Sequence, residues 1–156
     1  MTLERKAETA IIAHLKGDSN LAALGFTHHQ SEEIKDGQIV VSVTRGAEVT
    51  PPSGVYKLQA SVSLRLRLRR FGDTADRTDE LATRLERLLS EPKLNLHFTA
   101  NCPDFHCYHA SLESTDRDPI DGKTFHHLFT LTLEAMPTNY ATAEKLSTRN
   151  FQHTTA

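Results

Sequence analysis

Residues 55–70, VYKLQASVSLRLRLRR, decide how this chain folds. Tyr56, Leu58, Ala60, Val62, Leu64, Leu66 and Leu68 share one parity; Lys57, Gln59, Ser61, Ser63, Arg65, Arg67 and Arg69 share the other. A period of two sustained over such a length is a strand signal, because a helix repeats its faces about every 3.6 residues. The stretch predicts one long antiparallel strand, apolar side toward the core and basic side toward solvent. At ~3.3 Å per residue it spans about 50 Å. A compact chain of this size has a diameter near ~40 Å, so the strand is expected to cross the whole domain, bend or project beyond it.

Working outward, Leu3, Ala7, Ala10, Ile11, His14 and Leu15 recur at helical spacing, with Thr2 placed to cap and Gly17 to stop. Residues 20–24 suit a short second turn. Ile39, Val41 and Val43 alternate with polar or smaller residues over 38–45, a strand introduced by Asp36-Gly37. The segment 46–54 holds Pro51-Pro52-Ser53-Gly54, a loop by composition and too long for a tight hairpin; it reads as a mobile or partner-contacting excursion.

Beyond the long strand, Asp73 or Thr74 caps a helix whose stripe is Leu81, Leu85, Leu88 and Leu89 and which Pro92 ends. Its first turns carry Asp76, Asp79 and Glu80, favourable against the helix dipole. Residues 93–104 show no regular pattern. A strand is predicted over 106–115, a turn over 116–123 and a last strand over 123–135, with Phe125, His127, Phe129, Leu131 and Leu133 on one side. The expected fold is α+β: a mostly antiparallel four-stranded sheet with one long strand, two helices on one face and an extended tail. The domain is read as 1–137 and the polar tail or arm as 138–156.

With 156 residues, 38% of them hydrophobic and none of them Trp, one domain with a lean core is expected. The net charge of −2 argues against non-specific coating of nucleic acid. The charge is uneven, however: Lys57, Arg65, Arg67, Arg69 and Arg70 cluster without a carboxylate, and 73–91 is rich in Asp and Glu. Two cysteines, Cys102 and Cys107, are too few for a disulfide scaffold and lack CxxC spacing, so a reducing compartment is the default. Neither a signal peptide nor a run of ~18 apolar residues is visible, which predicts a soluble, cytoplasmic protein without membrane contact.

Chemistry-bearing patterns are sparse. Cys102, His106, Cys107 and His109, with His97 nearby, are zinc-compatible types, yet His106 and Cys107 are adjacent on a strand and point to opposite faces. His126 and His127 are split in the same way, and His28-His29 lie in a polar link that favours solvated imidazoles. Asp116, Asp118 and Asp121 read as turn residues. The chain has no G-x-S-x-G, P-loop, G-x-G-x-x-G or H-E-x-x-H. No catalytic residue, cofactor or metal ligand is therefore assigned, and the protein is not expected to be an enzyme.

The strongest charge feature is the ladder Lys57, Arg65, Arg67 and Arg69, cations at a pitch of ~7 Å along one strand. It suits an acidic neighbouring subunit first and phosphates second, since no aromatics interleave with it. The acidic helix around Asp76, Asp79 and Glu80 is the natural counterpart, in a heterologous contact that closes into a ring.

Three features together resemble the tail terminator (tail completion) and head–tail joining proteins of tailed bacteriophages. They are the N-terminal helix from Leu3 leading to a strand and a Pro/Gly-rich excursion; the long strand running into TDELATRLERLL; and the closing strands CYHASLEST and GKTFHHLFTLTLEAMP before a variable tail. The likeness is one of layout, over Leu3 to Pro137. It implies a small α+β subunit forming a homo-oligomeric ring, commonly a hexamer, in the tail or neck of the virion and assembled in the host cytoplasm. Such a ring caps the tail tube, joins the head connector and allows passive contact with genomic DNA in its lumen. Pro51, Pro52 and the tail are then natural contacts to tube or connector proteins. A small nucleic-acid-binding module using Arg65, Arg67 and Arg69, and a Cys/His metal enzyme, are the alternatives.

Overall fold

The computed structural model describes residues 1–28, 37–67, 73–102, 104–119 and 124–136. The first helix, α1 (Leu3–Leu15), begins where the Thr2 hydroxyl accepts the Arg5 amide at 3.2 Å. This is the cap its sequence promises. A one-turn helix, α2 (Ser19–Ala22), follows, and the Asp18 carboxylate accepts the amides of Asn20 and Leu21. Next come β1 (Gly25–Thr27), β2 (Gly37–Glu48), β3 (Tyr56–Arg67), α3 (Asp73–Leu89), α4 (Leu94–Asn101), β4 (His106–Pro119) and β5 (Thr124–Met136).

The strands form one sheet in the order β1-β2-β3-β5-β4, parallel only between β1 and β2. The α+β class holds, with a mixed five-stranded sheet and four helices where the sequence suggested four antiparallel strands and two helices. The two additions have little sequence signal. β1 is only three residues long, too short to show a period, and the apolar positions of α4 that are buried reduce to Leu94 and Phe98.

β3 is the central strand, bonded along both edges. Its 12 residues measure about 40 Å, enough to cross the domain. Leu58, Ala60, Val62, Leu64 and Leu66 are all buried, as their parity requires. Val62 pairs with Val41 and Phe129, and Leu64 with Ile39 and His127, so one sheet face is a continuous apolar layer. Ile11 and Leu15 of α1, Leu85 and Leu89 of α3 and Phe98 of α4 fill that layer from the helical side. Gly37 opens β2 where leucine side chains crowd: a Cβ there meets Leu24 Cδ2 and Leu66 Cδ2 at 2.7 Å.

Two loops differ from expectation. Residues 49–55 are a hairpin connection closed by its own bonds: Val49 N–H to the Val55 carbonyl at 2.7 Å, Gly54 N–H to Glu48 Oε1 at 2.8 Å, and the Ser53 hydroxyl to the Val49 carbonyl. β2 thus runs on through Glu48, into the segment read as a loop over 46–54, and the connection that remains is internally hydrogen-bonded. The predicted turn over 116–123 starts later, because β4 continues through Asp118 and Pro119, paired with His126 and Phe125. The expected tail, 138–156, lies outside the described residues.

Candidate functional site

The described helices all pack on one side of the sheet. The other side presents Val40, Ser42 and Thr44 from β2, Lys57, Gln59, Ser61, Ser63 and Arg65 from β3, the even-numbered residues of β5 from His126 to Glu134, and His109, Ser111, Ser114 and Asp116 from β4. Each of these is half-buried or exposed; on that face Gln38, at its margin, is the buried member among the described residues of β2–β5. Short hydroxyl side chains dominate it, which keeps the face flat and hydrogen-bonding. None of the described helices packs on this five-strand-wide face.

The expected basic ladder lies on this face, in a more mixed setting than the sequence implied. Lys57 is exposed and stands in register with Glu134. Arg65 is half-buried between Gln38 and His126. Arg67 pairs with Thr124 in the backbone ladder, and its side chain, like all of Arg69, lies outside the described residues. Cations on the central strand therefore share the face with carboxylates, Glu134 on β5 and Asp116 toward the β4 edge, where it pairs with Leu128. Within the face, the Ser63 hydroxyl and His126 Nε2 are hydrogen-bonded at 2.6 Å.

β4 is an edge strand of 14 residues, a length that invites pairing with another sheet. Register shifts between Cys107 and His109 and between Leu112 and Ser114 interrupt it, and Glu113, Asp116 and Arg117 charge it. Bulges and charges of this kind block edge-to-edge growth.

The acidic helix lies on the opposite, helical side. Asp79 is exposed, 3.6 Å from Arg117 Nη1, and Glu80 is 3.3 Å from Arg84 Nη2 one turn on. Such exposed pairs are worth only ~0–1 kcal/mol. Asp76 belongs to α3, with its side chain outside the described residues. Pro51 and Pro52 are exposed at the hairpin tip, joined by a cis peptide, beside Thr50 held at φ 46°.

The Cys/His cluster does not converge. Cys107 is on the core side of β4, where burial pushes its thiol up to about 12 and its S–H donates to the His109 carbonyl at 3.1 Å. Cys102 is buried at the end of α4, and His109 points to the open face. His127 stacks on Phe129 at 4.5 Å, and burial together with the Arg117 charge lowers its pKa, as suits a neutral ring packed against the core. His28 corrects the reading of a solvated imidazole: its Nδ1 is 3.3 Å from Oε2 of the buried Glu8.

One group that sequence reading passed over is His14. It occupies a core position of α1, is buried, and lies near Glu91 and His97 from the other end of the helical layer. The sequence signal was an imidazole in an apolar stripe. Comparison with family models and with curated proteins gives no match for this chain. No described helix is long and apolar enough to cross a membrane.

Proposed function

We propose that this protein is a structural subunit of the tail terminator kind, assembling into a closed ring that caps a bacteriophage tail tube and joins it to the head connector. The observation that carries this reading is the hydroxyl-rich polar sheet face, with cations on its central strand, backed by a helical layer in which α3 places Asp79 and Glu80 on the opposite side. A subunit with cations on the central strand of its sheet face and carboxylates on α3 behind it meets the next copy head to tail, and head-to-tail contacts that close make rings. Lys57, Arg65 and Arg67 then meet Asp76, Asp79 and Glu80 of the neighbour. The Pro51-Pro52 hairpin and the segment after Pro137 reach the tube or connector, and DNA passes through the lumen without specific contact. Carboxylates beside the cations make this face a poor continuous phosphate track, which ranks a dedicated DNA-binding role second.

Mass photometry and negative-stain microscopy of the purified protein, alone and with a tail-tube protein, test the reading. Rings of several subunits are expected. Reversing Lys57 and Arg65 to Glu should disperse them, as should reversing Asp79 and Glu80 to Lys. Combining all four changes should restore assembly in part, because both sides of each contact change sign. A strictly monomeric protein without affinity for tube or connector proteins would sink the idea. Genes for portal, tail-tube and tape-measure proteins beside its own would support it.

A further inference from the structure

We infer that His14, Glu91 and His97 form a binding site for a divalent metal ion of the zinc class. The three donors come from separate parts of the helical layer: His14 from the last turn of α1, Glu91 from the link after α3, and His97 from α4. One ligand atom from each lies within 4.8 Å of the others. His97 Nε2 is 3.3 Å from Glu91 Oε2, and His14 Nε2 is 4.0 Å from the same oxygen. Tetrahedral zinc bonds of ~2.0–2.1 Å place ligand atoms about 3.3–3.4 Å apart. Of the three pairs, Glu91–His97 already has that separation, Glu91–His14 needs to close by ~0.7 Å, and His14–His97 lies within 4.8 Å.

The surroundings favour a cation. The carbonyl of Leu88, in the last turn of α3, accepts from His14 Nε2–H at 3.0 Å, so the negative end of a 17-residue helix points at the donors. Glu91 adds a full negative charge two residues beyond that helix. The His14 side chain is 7% exposed, with its ring edge-on to Phe98 at 5.5 Å, which fixes its plane. Glu91 and His97 reach solvent, at 30% and 49%, so the ion has an entry path and water completes the coordination. On binding, the His14 imidazole moves its proton to Nδ1 and turns the Nε2 lone pair to the ion; the ring stays neutral and the Leu88 carbonyl is released or becomes a ligand.

Two imidazoles and one carboxylate suit zinc and its neighbours in the first transition row, and not calcium or magnesium. Neither cysteine belongs to the donor set, and the raised pKa of Cys107 leaves its thiol a poor competitor. Its role is a clip: one ion ties α1, the α3–α4 link and α4 together beneath the sheet. This inference is independent of the ring proposal, and neither fails with the other.

The test is calorimetric titration of the chelator-treated full chain with zinc ion, together with the visible spectrum of the cobalt-substituted protein. One equivalent should bind, with a tetrahedral cobalt spectrum free of thiolate charge transfer. The deciding variants are His97→Ala and Glu91→Gln, both at solvent-reaching positions where the fold tolerates change. Each should weaken zinc by more than the roughly 10–100-fold that an outer-shell partner is worth, and each should abolish the rise in melting temperature that zinc gives the parent. His14→Ala also removes a buried ring and does not decide the matter. Absence of binding, a thiolate spectrum, or undiminished affinity in both folded variants would overturn the assignment by removing the ion or placing it on other side chains.

Discussion

Replacing Leu64 by Ala tests whether the sheet has one core face and one free face. Leu64 is fully buried at the middle of the central strand, between Ile39 and His127. Its truncation removes apolar contact and leaves a cavity that the flanking strands cannot collapse, a change that costs about 2–5 kcal/mol. For a domain with total stability of ~5–15 kcal/mol, that is a large share. With a urea slope of roughly 2 kcal/mol/M, the midpoint should fall by about 1–2.5 M, and the melting temperature by about 5–15 °C. Gln59→Ala and Ser63→Ala, on the other parity, supply the contrast. Gln59 is exposed, and its loss should stay within about 0.5 kcal/mol. Ser63 loses a hydroxyl bonded to His126 Nε2, about 0.5–1.5 kcal/mol. Urea unfolding with fluorescence or circular dichroism, on dispersed protein, reads all three. If Gln59 and Ser63 cost as much as Leu64, a second layer covers the face and the assembly argument loses its premise.

Two further outcomes follow from individual side chains. Burial raises the Asp18 pKa, but the Leu21 amide, the Arg84 guanidinium at 3.1 Å and the Asn20 amide outweigh it and hold the carboxyl below its usual value. The stability it contributes is present above the unfolded value near ~3.9 and is lost as pH falls through the lower folded value. Asp18→Asn should flatten that acid limb in pH-dependent unfolding, and Asp18→Ala should cost about 1 kcal/mol at neutral pH through the lost cap. Cys107, with its thiol near 12, should react with iodoacetamide at neutral pH roughly three orders of magnitude more slowly in the native protein than after denaturation; equal rates read by mass spectrometry would contradict its burial.

Much of this fold was legible because its signals are local. The alternation at Tyr56–Leu66 named both the strand and its buried side, and the Leu81–Leu85–Leu88–Leu89 stripe named α3. Thr2 at the N-cap behaved as its chemistry requires. What stayed hidden was either too short to show a period, as Gly25–Thr27 did, or too weakly amphipathic, as Leu94–Asn101 did. The paired aspartates near Pro119 suggested a turn, and pairing with β5 drew Asp116 and Asp118 into strand β4 instead.

The sequence by itself determined the α+β class, the strand VYKLQASVSLRLR with its inner and outer faces, and the uneven placement of charge, because parity and helical spacing are properties of neighbours along the chain. Only the tertiary structure decided that this strand is central, that its polar side lies away from the described helices, and that Glu134 and Asp116 share the face with the cations. It alone brought His14 within reach of Glu91 and His97. Those facts depend on which strands pair and where helices pack, contacts between residues far apart in the chain whose register no local period encodes.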